Sequence, residues 1–147
     1  TTPDARFVCQ DTAIQDGDGV FRLFLPWQSN LVSASLQRCG HTSDVFVDVK
    51  ARRLPTIIAE LGVPSVDVLK MDIEGAEYSV LADYLTGSAD ALPGQLALEF
   101  HHFYPEFGLE ASRAAVRSLR AKGYRLCWVS PSHHELLFVA ERLLVGT

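Results

Sequence analysis

Val66-Asp67-Val68-Leu69-Lys70-Met71-Asp72-Ile73-Glu74-Gly75-Ala76-Glu77-Tyr78 is the stretch that decides the fold. Val66–Met71 is a short, mostly apolar run that suits a buried strand. It ends in Asp72, Glu74 and Glu77, with Gly75 between them, and a helical pattern starts at Ala76. Three carboxylates where a strand gives way to a helix are costly unless they meet solvent, a ligand or a positive partner. In open α/β sheets, that carboxyl end is where ligands bind. Acidic groups at a helix start also interact well with the dipole and the free N–H groups, and Glu77 is assigned to that structural role. Asp72 is assigned to function, and Glu74 suits either.

Outward from this stretch, the chain alternates. Val45/Val47/Val49 against Phe46/Asp48 predicts a half-exposed strand. Leu54, Ile57, Ile58 and Leu61 recur at helical spacing, with Pro55 suited to the first turn and Gly62 to the stop. Val66–Met71 is a strand, Ala76–Leu85 a helix and Gln95–Phe100 a strand. Ser112–Lys122 is a helix closed by Gly123. Tyr124–Val129 and Leu136–Ala140 are the last strands. Upstream, Arg6–Ile14 reads as a strand, Asp16–Gly19 as a hairpin turn and Val20–Leu25 as its partner. Pro26–Thr42 is polar and irregular and reads as a loop. The alternation from Val45 predicts an α/β fold with a mostly parallel sheet and one antiparallel last strand.

The 147 residues suit one domain, residues 1–147, and 48% hydrophobic content is ample for its core. No apolar run approaches the roughly 20 residues that cross a bilayer. The net charge is −5, and no basic cluster exceeds Arg52-Arg53. That argues against a nucleic-acid partner or an anionic membrane surface. Cys9, Cys39 and Cys127 are odd in number and far apart, which fits neither a disulfide framework nor a metal site. Cys9 and Cys127 sit on apolar runs and read as buried thiols. Unpaired cysteines favour a cytoplasmic location.

Lys70-Met71-Asp72-Ile73-Glu74-Gly75-Ala76-Glu77 resembles the signature of FkbM-type methyltransferases and the related methyltransferase-like 24 group. Thr12-Ala13-Ile14 with Asp16-Gly17-Asp18-Gly19, then Leu96–His101, then Glu135–Val139, agree in order. The resemblance runs from about Phe7 to Ala140. It implies a Rossmann-like sheet, S-adenosylmethionine as cofactor, and a last strand inserted beside the one before the final helix. The family's glycine-rich cofactor loop and its strands find no counterpart ahead of Thr12. The expectation is therefore the later part of a methyltransferase domain, with the cofactor-loop strands missing. A strand that lacks its neighbour leaves an edge open to self-association, unless the Arg6–Ile14 segment covers it.

Methyl transfer to a hydroxyl requires donor and acceptor held in line and a proton removed. Asp72, at the strand end, can orient either one. Glu99-Phe100-His101-His102 lies on the adjacent strand, where alternation points Glu99 and His101 the same way. His101 is the natural proton acceptor near neutral pH. The catalytic candidates are Asp72, Glu74 and His101. By resemblance, the strand end at Asp11-Thr12 passes near the cofactor's adenine, so Asp11 and Thr12 join Asp72 as cofactor candidates. Turn chemistry explains Asp11 and Thr12 equally well. The site is read as metal-free, because Mg²⁺ seldom recruits His. A metal set of Asp72, Glu99 and His101 is the sharper alternative. Phe103–Phe107 is a candidate pocket wall, while Trp128 reads as core and His133-His134 as a solvated turn.

The reading is an S-adenosylmethionine-dependent O-methyltransferase acting on a small molecule or glycan. Its rivals are a non-catalytic methyltransferase-like binding domain and a metal-dependent α/β hydrolase.

Overall fold

The computed structural model describes residues 7–28 and 33–144. In chain order these form β1 (Ala13–Ile14), β2 (Gly19–Pro26), β3 (Thr42–Arg52), α1 (Leu54–Glu60), β4 (Val68–Met71), α2 (Glu77–Tyr84), β5 (Gln95–Glu99), α3 (Gly108–Ala121), β6 (Tyr124–Val129) and β7 (Glu135–Ala140), with short 3₁₀ turns at Ala89–Ala91 and Glu141–Leu143. They build two sheets, β1-β3-β2 and β4-β5-β7-β6.

The larger sheet is mixed rather than mostly parallel. β4 and β5 are parallel, and β7 runs antiparallel to both β5 and β6. The last strand is thus inserted beside the strand before the final helix, as the resemblance implies. Alternation gives the sheet two unlike faces. Leu69, Met71, Leu96, Leu98, Leu136 and Phe138 face α2 and α3, and pack with Val80, Leu81, Tyr84 and Leu119 into the core. Lys70, Ala97 and Leu137 lie in register on the other face. That face is open: Val68 and Trp128 are both more than half exposed. Trp128 is therefore surface, not core. A register shift between Leu126 and Trp128 re-aims it.

The first sheet departs most from expectation. Among residues 7–14 only Ala13–Ile14 is strand, and it pairs in parallel with β3. β2 pairs antiparallel with β3 along nearly its whole length. Asp16–Gly19 is therefore not a hairpin turn between β1 and β2. Asp18 is used otherwise. It accepts hydrogen bonds from the Arg53 backbone N–H at 2.8 Å and the Thr56 hydroxyl at 3.0 Å. These lie at the start of α1, which has no side-chain cap of its own. Both hydrogen bonds and the nearby arginines hold the Asp18 carboxyl below its usual pKa. Arg53 also clamps α1 to α2 through a bidentate bond to Asp83.

Two smaller expectations are revised, and a third is untouched. Cys9 and Cys127 are exposed, whereas Cys39 is the buried thiol. α3 begins a turn before Ser112, at Gly108. The proposed strand start at Arg6 lies outside the described residues. Gly62 and Gly123 do end their helices in the left-handed region.

β4 ends the four-strand order, so among the described residues its outer edge has no strand partner. Among the described residues of that segment, the strand part, Ala13–Ile14, pairs with β3 instead. Light scattering is expected to show concentration-dependent self-association. Val68→Lys, a charge on that edge, should reduce it. A monodisperse wild-type chain at all concentrations would show that the edge is tolerated bare.

Candidate functional site

The site forms where β4 and β5 end. β4 stops at Met71, and residues 72–76 turn sharply into α2. Glu74 has φ 54° and Gly75 φ 103°. A non-glycine residue in the left-handed region is uncommon and must be held there. Glu74 is held by the buried Ser35, whose hydroxyl donates to the Glu74 carbonyl at 2.6 Å. The turn therefore presents the Glu74 carboxylate toward the end of β5.

Glu77 is the first residue of α2 and is fully buried. Its two oxygens accept from the Ile73 N–H at 2.8 Å and the Gly75 N–H at 3.0 Å, so the carboxylate closes its own turn. Its role is structural, as expected, but much stronger than a surface interaction with the helix dipole. Glu77 also meets His101, whose Nδ1 lies 3.0 Å from Glu77 Oε1 in a bent contact.

His101 is 2% exposed. Its other nitrogen, Nε2, lies 3.3 Å from Glu74 Oε2 and 3.9 Å from Asp72 Oδ1. Burial opposes charging of this ring. Glu77, Glu74 and Glu99 outweigh that penalty, and its pKa is raised. Asp72 is the most open member and binds Lys70 Nζ at 3.2 Å through Oδ2. His41 Nε2 is 3.8 Å from Glu74 Oε2. The Tyr104 hydroxyl reaches the same oxygen at 3.4 Å, and its ring stacks on both His41 and His101. Burial first, then the Glu74 charge, pushes the Tyr104 pKa far up, so the phenol stays protonated.

A cavity of about 540 Å³ opens onto this cluster. Thr12, Ile14, Leu23, Ser33, Asp72 and Glu74 are among its lining residues. Sequence positions some sixty apart thus share one space.

The FkbM methyltransferase domain model matches residues 11–126. The chain belongs to the FkbM methyltransferase domain family. It is also 34% identical over 83 residues to the probable methyltransferase-like protein 24 of Rattus norvegicus and to that of Homo sapiens. Each match covers 51% of this chain and 23% of the relative, so the chain spans less than a quarter of those proteins in the aligned region. No solved structure matches significantly.

In this FkbM-family chain, Asp72, Glu74 and His101 come together as the sequence suggests. Thr12 joins Asp72 at the cavity, but Asp11 is exposed and is not among the cavity's lining residues. Glu99 does not join. It pairs across the sheet with Glu135 and lines a groove on the open face with Lys70 and Trp128. Burial and the neighbouring Asp72 charge raise its pKa. The alternation that aligned Glu99 with His101 fails because β5 ends at Glu99 and the chain turns. Phe103–Phe107 is not among the cavity's lining residues; Tyr104 instead stacks on His101 and Phe107 packs over Gly75. His41 was not legible as a site residue, and Tyr104 only as part of the Phe103–Phe107 aromatic segment. His41 stands in a turn before β3, with no spacing that links it to Asp72.

Proposed function

We propose that this chain carries out S-adenosylmethionine-dependent O-methylation of a hydroxyl on a small molecule or glycan. The observation that carries the reading is the cavity that joins Thr12 to Asp72 and Glu74 in an FkbM-family chain. Its size lies within the roughly 300–1,000 Å³ range of small-molecule sites. Its two carboxylates suit a cationic donor. No glycine-rich turn lines it among the described residues. S-adenosylmethionine supplies, when bound, an electrophilic methyl group on a sulfonium. Thr12 sits at the wall suited to the adenine end. Asp72, the most accessible carboxylate, orients the acceptor hydroxyl. Glu74 and His101 assist beside it, and Glu77 lies behind the imidazole.

The competing readings use the same residues differently. A non-catalytic binding domain would keep the cavity and lose turnover. A hydrolase would need a bound metal and an activated water.

The test is an amide chemical-shift titration of the chain with S-adenosylmethionine and, separately, S-adenosylhomocysteine at millimolar excess. Shifts confined to Thr12–Ile14 and Asp72–Glu74 are expected, and weaker binding in Thr12→Ala and Asp72→Asn. No shifts in these segments would overturn the reading. Labelled methyl transfer to hydroxyl acceptors then separates an enzyme from a binding domain.

A further inference from the structure

We propose that Asp72, Glu74 and His101 hold a divalent first-row transition ion, with Mn²⁺ or Zn²⁺ best suited to the donors. The proposal rests on the reading that this sheet end is the functional site. It replaces the metal-free expectation, and it exchanges Glu99 for Glu74 in the metal set weighed from sequence.

Reach comes first. One donor atom from each of the three residues lies within 4.8 Å of the other two. Metal–oxygen and metal–nitrogen bonds are about 2.0–2.2 Å. Two ligands of one ion therefore stand at most about 4.4 Å apart on those bond lengths. His101 Nε2 meets that limit toward both carboxylates, at 3.3 and 3.9 Å. Asp72 is the half-open member, so its side chain can settle onto an ion without disturbing the core.

Donor chemistry comes second. One imidazole and two carboxylates form a mixed nitrogen/oxygen set, which suits Mn²⁺, Fe²⁺ or Zn²⁺ better than Mg²⁺ or Ca²⁺. The histidine also has a carboxylate on the side where a ligand's second-nitrogen partner would stand. Metal-bound histidines place their second nitrogen against a carboxylate or carbonyl, which fixes the ring and aims the first. His101 Nδ1 lies 3.0 Å from Glu77 Oε1 in a contact too bent for an aligned hydrogen bond, and Glu77 is itself pinned by two backbone N–H groups.

An independent observation points the same way. His41 is 9% exposed, and its Nε2 is buried with no hydrogen-bond partner. That nitrogen is aimed at the cluster, 3.8 Å from the same Glu74 oxygen that faces His101. A buried, unpaired ring nitrogen is costly. An ion at the cluster gives Glu74 a strong partner and offers His41 a fourth position. The alternative is a simple imidazolium held between carboxylates, which leaves His41 unexplained.

The experiment uses the chain with ¹⁵N-labelled histidine, stripped by chelator and titrated with Mn²⁺. Free Mn²⁺ is read by electron paramagnetic resonance, and nitrogen ligation by spin-echo modulation of the bound ion. One saturable ion per chain with a coordinated ¹⁵N is expected, displaced by Zn²⁺. Asp72→Asn and Glu74→Gln should each weaken binding by about tenfold or more. Glu99→Gln should leave it unchanged. Absence of saturable binding, or binding without histidine nitrogen, would overturn the site. The ligation signal comes from the wild-type chain, so a variant that fails to fold does not blur the answer. Ion binding without the cofactor shifts at Thr12–Ile14 would retain the metal site and remove the methyl-transfer reading. Cofactor shifts without ion binding would do the reverse.

Discussion

Glu77→Ala is expected to destabilise the chain by about 3–5 kcal/mol, the range for breaking a buried charge pair. Glu77 is fully buried, accepts from the Ile73 and Gly75 N–H groups and lies 3.0 Å from His101 Nδ1. Alanine leaves two donors of the turn unpaired and strips the imidazole of its closest carboxylate. Glu77→Gln keeps the volume and one accepting oxygen but loses the charge. It should fall between, near the 1.5–3 kcal/mol of roughly one charge-assisted hydrogen bond. Urea denaturation measures both. The magnitudes decide between roles. A helix-dipole interaction alone would cost only about 0.3–1 kcal/mol. Losses that small in both variants would mean that Glu77 is only a helix-start acid. Amide exchange at Ile73 and Gly75 locates the damage, because those protons should open first.

The contrast explains what was legible in the sequence. Period and punctuation place α1, β4, α2, β5, β6 and β7, since each buries one face of a regular element. Asp72, Glu74 and His101 follow from strand ends, where the sheet makes nearby residues converge. The rest depends on groups distant in sequence. Asp18 lies in an Asp-Gly stretch that suits a hairpin, but its carboxylate caps α1, 35 positions from Arg53. β1 pairs with β3 rather than β2, and no local pattern encodes that choice. Glu99 and His101 alternate only while the strand lasts, and it ends at Glu99. His41 enters the site through a loop and a stacked tyrosine, which no spacing announces. The chemistry of methyl transfer came from the family signature, not from periodicity.

Gly75→Ala is the second large effect. Gly75 is buried at φ 103°, a conformation that a side chain rarely adopts. A Cβ added there would also overlap the Phe107 ring edge. The backbone strain is worth about 1–3 kcal/mol, and overpacking adds about 1–3 kcal/mol. Phe107 lies just before α3 and packs on Tyr78, so its ring cannot withdraw without loosening the contact between α2 and α3. A double-mutant cycle separates the two costs. In a Phe107→Ala background, Gly75→Ala should keep the backbone cost and lose the overlap. Its penalty should therefore shrink by about 1–3 kcal/mol. An unchanged penalty would place all of the cost in the backbone. No penalty in either background would mean that the turn relaxes freely, and that neither Gly75 nor Phe107 holds Glu74 where His101 meets it.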